Sequence, residues 1–303
     1  TGAAGLVGSS VRKLEETYPQ LDFVYTTRSE HDLTKESDVA SLFETYRPDY
    51  VIHTAARVGG IGRNMKSPAD QYYCNILMNS YVIHYAHVYN VKKLLAFSSV
   101  CAFPASATSL TEEILHDGEP YPAHYAYAYS KRMVDVQINA YKQQHEVDFC
   151  SVIPGNIFGE NDNFNLEDGH VVPSLVHKCL LAKRNNAPFD VWGDGSPYRE
   201  FLYAEDVARV CVELLLADKR LPQRIIVSGE QETQIKDLVK LICDTFEYHN
   251  INWLTEKPNG QLRRPTNTNV LKEFLPNFKY TPLAEAMKNT VEWFEKNYPN
   301  VRK

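Results

Sequence analysis

No two of the six cysteines stand as a CxxC pair, and none joins the ten histidines in a cluster with metal-ligand spacing. That absence excludes a zinc-ribbon or dithiol redox module, leaves no metal to expect, and points to free thiols in a reducing, cytoplasmic setting. Basic runs are missing too: 32 Lys and Arg against 38 Asp and Glu give a net charge of −6 spread along the chain. Nucleic acid and membrane surfaces therefore have little to hold, and any anionic ligand must be met by local cations. No apolar run approaches the roughly 18 residues that cross a bilayer, and no signal peptide opens the sequence. There is no internal repeat or low-complexity segment. A strand ahead of the first glycine turn is also missing: "TGAAGLVGSS" begins inside a turn that normally follows one, so a strand is expected before Thr1.

What is present is an alternation of elements. With 303 residues and 44% hydrophobic content the chain is long enough to bury a sizeable core. Apolar runs of strand length at 21–27, 50–56, 93–100, 148–159 and 224–229 are separated by helical stretches. Strands alternating with helices predict an α/β fold, a doubly wound parallel sheet covered on both faces. After Gly159 the chain turns polar in "ENDNFNLEDGH", and a short strand-like piece, "FDVWGDG", follows. We expect a dinucleotide-binding domain over 1–159, rejoined by about 200–229, where "EFLYAEDVARVCVELLL" reads as helix packing on the large sheet. A smaller, discontinuous substrate domain takes 160–199 and 230–303.

Three stretches carry chemistry. Gly2, Gly5 and Gly8 form GxxGxxG at the head of a helix with Val7, Val11 and Leu14 on one side, the arrangement that brings backbone amides to a pyrophosphate. The second strand ends in "VYTTRSEHDL" with Arg28 and no carboxylate, which favours the 2′-phosphate of NADP over the 2′-hydroxyl of NAD; Asp32 lies nearer the adenine by chain distance. In "AYAYSKRMVDVQINAY", Tyr127 and Lys131 stand at i and i+4 above a buried stripe of Val134 and Ile138. An ammonium about 4 Å from a phenolate is worth roughly 4 kcal/mol at an effective dielectric near 20. That would bring the tyrosine down toward neutrality as a general acid or base, with Ser99 as its hydrogen-bonding neighbour. Tyr89 and Lys93 share the spacing but precede a strand, and are set aside. In "SSVCAFP" strand alternation would put Ser99 and Cys101 on the same side of the chain.

Taken together, Gly2, Gly5, Gly8, Ser99, Tyr127 and Lys131 resemble the extended short-chain dehydrogenase/reductases. "SVCAFP", "YAYSKRM", "PGNIFGENDNF", "DGHVVP" and "VWGDGSPYREF" narrow the resemblance, over essentially the whole chain, to the branch that turns GDP-4-keto-6-deoxymannose into GDP-L-fucose. The resemblance implies C3 and C5 epimerisation by Cys101 and His170, then reduction of the C4 ketone with Ser99, Tyr127 and Lys131. The protons beside the ketone are acidic because the enolate is delocalised. It further implies NADP(H) against Gly2, Gly5, Leu6, Val7, Gly8, Arg28, Asp32, Leu33, Ala55, Lys131, Pro154, Asn156 and Ile157. The GDP-sugar would lie against Asn163, His170, Lys178, Trp192, Arg199 and Lys257, and the protein would be a homodimer. Three positions depart from the pattern: Val100 replaces a common Ser or Thr, Ala4 a larger or polar residue, and Asn259 in "KPNG" the usual Asp. The rivals are a 4-epimerase or 4,6-dehydratase of the same fold, and a non-catalytic NADP sensor. A dehydratase would carry acidic residues after the serine, where "SSVCAF" has none. A sensor would have no reason to keep all five catalytic positions.

Overall fold

The computed structural model describes residues 1–257 and 259–303; Pro258, within the "KPNG" stretch, lies outside the described residues. Along the chain run α1 (Leu6–Arg12), α2 (Glu36–Tyr46), β1 (Tyr50–His53), α3 (Ile61–Lys66), α4 (Pro68–Val88), β2 (Lys93–Phe97), α5 (Tyr125–His145) and β3 (Phe149–Pro154). Then come β4 (Asn156–Phe158), α6 (Val171–Asn185), β5 (Phe189–Trp192), β6 (Tyr198–Tyr203), α7 (Ala204–Leu216) and β7 (Arg224–Val227). The last elements are β8 (Glu232–Gln234), α8 (Ile235–Phe246), β9 (Ile251–Leu254), α9 (Asn269–Phe274) and α10 (Leu283–Asn297).

The large sheet is parallel, in the order β1-β2-β3-β7. Its inner strands are apolar on both faces because both faces are covered. Leu94, Ala96 and Phe149 pack with Val82, Ile83, Val134 and Ile138 of α4 and α5. The alternate residues Leu95, Phe97, Cys150 and Val152 pack with Val7 of α1 and with Val207, Val210 and Leu214 of α7. The expected doubly wound parallel fold is the one observed. No helix among the described residues is long and apolar enough to cross a membrane.

Two expectations about elements are corrected. Residues 21–27 form no strand. Their alternation is present, with Leu21, Phe23 and Tyr25 turned onto Val11 and Leu14, but a strand needs a neighbour's ladder of N–H and C=O groups. A cavity of about 460 Å³, lined by Phe23, Tyr25, Val51 and Ile52 among others, lies between this segment and β1. None of the candidate catalytic residues lines it. The stretch 200–216 is not all helix: Glu200–Tyr203 complete β6, and α7 begins at Ala204. The run 148–159 likewise splits, with β3 in the large sheet and β4 pairing with β6 in a smaller one.

A second core joins Phe158, Phe164, Val176, Phe189, Leu238, Ile242, Met287 and Phe294 beneath α6, α8 and α10. Leu271 and Phe274 of α9 pack instead with the core of the large sheet. Phe164 is fully buried in the second core. Its ring stacks on Phe294 at 4.3 Å between centroids, and its carbonyl accepts from His177 Nδ1 at 2.7 Å. Full burial of such a ring is worth about 2–3 kcal/mol. That anchors the polar loop leading into α6, while the loop's tip reaches back to the first body, where Gly60 N donates to the Asp168 carbonyl at 3.1 Å.

Candidate active site

β2 stops at Phe97, and the ladder takes one more bond, from Ser98 N to Val152 O at 2.7 Å. The expectation that strand alternation aligns Ser99 with Cys101 is therefore corrected: Val100–Ala102 is a 3₁₀ turn with Ser99 as its N-cap. Ser99 Oγ accepts from Cys101 N at 3.2 Å, so a cap, not a pleat, brings the hydroxyl and the thiol to one place. Burial pushes the Cys101 thiol above its ordinary range, while the Ser99 hydrogen bond and the positive charge of Arg264 pull it down.

Across from this turn, α5 presents Tyr127 and Lys131, both buried. Lys131 Nζ donates to the Phe97 carbonyl at 2.8 Å, and burial lowers its pKa to about 8. The expected lowering of Tyr127 by Lys131 is not found. Burial holds the phenol above its usual range, Cys101 adds to that, and the Ser99 hydrogen bond opposes it. The spacing sets Lys131 beside Tyr127 at the helix surface, but the lysine's long stem carries its charge to the end of β2. Ser98 Oγ on the Lys131 carbonyl, at 2.9 Å, fastens the same helix turn to the same strand end.

His170 is the N-cap residue of α6. The residue is exposed, yet the protein around its ring, and then Arg302, still lower the imidazole from its usual value, so the ring is neutral near pH 7. Asn163, expected against the substrate, uses its side chain inside the loop: Oδ1 accepts from Asn165 N at 3.2 Å and Nδ2 donates to the Asp168 carbonyl at 3.4 Å. It shapes the segment that delivers His170. Among the described residues no hydrogen bond joins His170 to Cys101.

At the glycine turn, two glycines are required by packing. Gly2 has φ +80°, and a Cβ there would lie 2.6 Å from Ala55 N; a Cβ on Gly8 would lie 2.3 Å from the Gly2 carbonyl. Gly5 differs, since a Cβ there would press, at 3.3 Å, only on Gly2 O and otherwise faces open space. The first N–H groups of α1, including those of Leu6 and Val7, open onto that space. The cradle fits a dinucleotide pyrophosphate. Ala55 forms its floor, and Pro154, Asn156 and Ile157 leave the end of β3 beside it. Arg28 is 82% exposed with Asp32 at 3.7 Å, and Asp32 caps its own turn through Thr34 N and Oγ1. The Leu33 side chain is in the core, so only its backbone can meet a ligand.

The candidate nucleotide residues gather around Trp192, which is 58% exposed although it belongs to β5. Lys178 Nζ lies 5.2 Å and Lys257 Nζ 5.9 Å from its ring centroid. An aromatic face flanked by two ammonium groups suits a base and its phosphates. Arg199 is half-buried, with Nη1 on the Tyr198 carbonyl at 2.6 Å. Asn259 Oδ1 accepts from Asp194 N at 2.8 Å, a bond an aspartate would also accept.

The sequence reading missed Arg264 and His124. Arg264 donates to the Pro104 carbonyl at 2.7 Å, while its buried Nε has no partner among the described residues. It bears on Cys101, Arg199 and His124 together, and no spacing in the sequence connects them. His124 had a signal that went unused, since it stands three residues before Tyr127 and so on the same side of α5.

Residues 1–229 match the model of the NAD dependent epimerase/dehydratase family. The chain is 38% identical to a GDP-L-fucose synthase of Dictyostelium discoideum, across 100% of this chain and 96% of that protein. It is 32% identical to the GDP-L-fucose synthase of Escherichia coli K12, across 99% and 97% respectively. A crystal structure of a GDP-L-fucose synthetase from Naegleria fowleri bound to NADP superimposes with a TM-score of 0.94 at 36% identity, covering 100% of this chain and 93% of that one.

Proposed function

We propose that this chain, which belongs to the NAD dependent epimerase/dehydratase family, converts GDP-4-keto-6-deoxy-D-mannose to GDP-L-fucose in the cytoplasm by C3 and C5 epimerisation followed by NADPH-dependent reduction at C4. The observation that carries the reading is one capped turn, Ser99 to Ala102, that presents a hydroxyl and a thiol beside a buried tyrosine. Reduction alone needs the hydroxyl and the phenol. The thiol has work only if protons also move on the sugar ring.

Bound NADPH supplies a hydride to the C4 carbon. The protein's part begins with Tyr127, which burial keeps as a neutral phenol and thus able to donate a proton to the C4 oxygen. Ser99 orients both the phenol and the ketone. Lys131, fixed on the Phe97 carbonyl, holds a positive charge behind them. For epimerisation, Cys101 rests as a thiol and His170 as a neutral imidazole, a proton donor and a proton acceptor for the sugar ring. Ser99 and Arg264 lower the cost of the thiolate form that the reverse transfer requires. Lys178, Trp192, Arg199 and Lys257 take the nucleoside diphosphate, with Arg199 suited to it by its forked donors.

In this reading 1–159 with 200–229 bind the cofactor, and 160–199 with 230–303 bind the substrate. Exposed Tyr72 and Tyr73 on α4 and Val136 on α5 support a homodimer formed along those helices. The test is incubation with NADPH and GDP-4-keto-6-deoxymannose, with the product sugar identified by NMR. A 6-deoxy sugar inverted at both carbons is expected; a C4-reduced sugar with C3 and C5 unchanged overturns the reading.

A further inference from the structure

Arg132 stands directly after Lys131 on α5, and neither the reduction nor the epimerisation gives it a role. It is 5% exposed, and its hydrogen bonds go to main-chain carbonyls. Nε donates to the Ala102 carbonyl at 3.0 Å, Nη2 closes on the same oxygen, and Nη1 donates to the Gly118 carbonyl at 2.9 Å. Ala102 is the last residue of the 3₁₀ turn that carries Cys101, and it is fully buried. A carbonyl at the end of a helical turn has no partner within that turn, so this one depends on a donor from outside. The start of the turn is held separately: Cys101 N donates to Ser99 Oγ at 3.2 Å, and Ala102 N to the Ser99 carbonyl at 3.0 Å. Gly118 lies where the chain returns from the excursion that follows the turn, and Ala105 N, donating to the Glu119 carbonyl at 2.8 Å, closes the neck of that excursion.

We propose that Arg132 is a positioning residue for Cys101: its guanidinium grips the end of the turn while Ser99 caps the start, which fixes the direction of the thiol relative to α5. The proposal rests on the reading of Cys101 as a proton-transfer group. A 3₁₀ turn this short is held by few hydrogen bonds of its own, so its side chains take their direction from what grips its ends. Two consecutive residues of one helix hold both ends of the stretch 97–102, since Lys131 Nζ donates to the Phe97 carbonyl at 2.8 Å. The same helix carries Tyr127, so the thiol that moves ring protons and the phenol that serves the ketone share one frame. A guanidinium suits the task because its rigid planar fork directs two donors to one oxygen and a third to another, which an ammonium on a flexible stem does not. Its contribution is direction more than stability, because the desolvation of a buried charge offsets much of what such bonds return. The grip is on the backbone, so the guanidinium does not compete with the sugar for the sulfur.

The experiment compares the wild-type full chain with Arg132→Ala and Arg132→Lys, the latter because it keeps the charge and one donor but not the fork. Three readouts are taken. The first is deuterium incorporation at C3 and C5 of the keto sugar in deuterated water with NADPH omitted. The second is NADPH formed from GDP-L-fucose and NADP, the C4 hydride transfer run backwards, which needs no proton movement at C3 or C5. The third is the rate at which iodoacetamide alkylates Cys101 in the absence of sugar, followed by peptide mass spectrometry. Arg132→Ala is expected to lose exchange by about a hundredfold, the scale of an ångström-sized misplacement, to change the alkylation rate, and to keep most of its hydride transfer. Arg132→Lys should fall between it and the wild type on exchange, and it carries the test if Arg132→Ala does not fold. Wild-type exchange in either variant, or exchange and hydride transfer lost by the same factor, overturns the proposal. If the wild-type protein itself shows neither exchange nor hydride transfer, the functional reading has failed, and alkylation then decides: rates equal to the wild type's in the variants overturn the role of Arg132, and a change that is smaller in Arg132→Lys than in Arg132→Ala supports it.

Discussion

Replacing Lys131 by methionine should make the protein more stable and inactive. The ammonium is 2% exposed and its pKa falls from 10.5 to about 8 because it is buried. At about 1.4 kcal/mol per pH unit, keeping it charged costs the fold about 3 kcal/mol. Between those two values the unfolded chain holds a proton that the folded chain has released. Stability from this group therefore rises as pH climbs from 8 to 10.5, and the whole cost is borne below pH 8. Methionine matches the length of the stem and carries no charge, but it leaves the Phe97 carbonyl without its partner at 2.8 Å. An unsatisfied buried carbonyl costs roughly 1–2 kcal/mol. The difference, about 1–2 kcal/mol in favour of the variant at pH 7, corresponds to a rise of about 2–4 °C in Tm. The assay is thermal unfolding of both proteins, free of cofactor, at pH 7, 8.5 and 10, with turnover measured at pH 7. The gap in Tm should narrow and then reverse as the wild-type amine loses its proton. A variant less stable at pH 7, or a gap that ignores pH, would refute the claim that a strained charge is held in place for function.

Arg28→Ala should narrow the ratio of kcat/KM for NADPH over NADH, since the exposed guanidinium offers a charge to the expected 2′-phosphate; an unchanged ratio removes Arg28 from that role. Tyr127→Phe should cost the reduction step about a hundred- to ten-thousand-fold in kcat, the range for a lost general acid, while Tyr89→Phe, with the same i,i+4 lysine, should change little. Cys101→Ser should bind NADPH normally and lose most deuterium incorporation at C3 and C5, because a hydroxyl is far harder to ionise than a thiol; full exchange measured by NMR would show that the thiol is packing alone.

Much of the framework was readable because it is local. The periodicities that marked β2, β3, α5 and α7 come from burial on one face or two, and burial leaves its pattern in consecutive residues. Gly2 and Gly8 were legible for a related reason: only a residue without a side chain fits where the helix start meets the turn. Tertiary structure decided the rest. Residues 21–27 carry the alternation of a strand, yet the ladder that would make them one must come from elsewhere in space. Ser99 and Cys101 meet through a cap, which a two-residue period mimics without causing. The ionisation of Tyr127 and Lys131 went against the spacing argument, because spacing places side-chain origins while burial and the Phe97 carbonyl determine where the charge sits. His124 and Arg264 converge on Cys101 from residues 23 and 163 positions further along the chain. The sequence alone determined which residue types were available for the chemistry. Which of them share a pocket, and in what protonation state, is a property of packing, because both depend on neighbours that the chain brings together only when it folds.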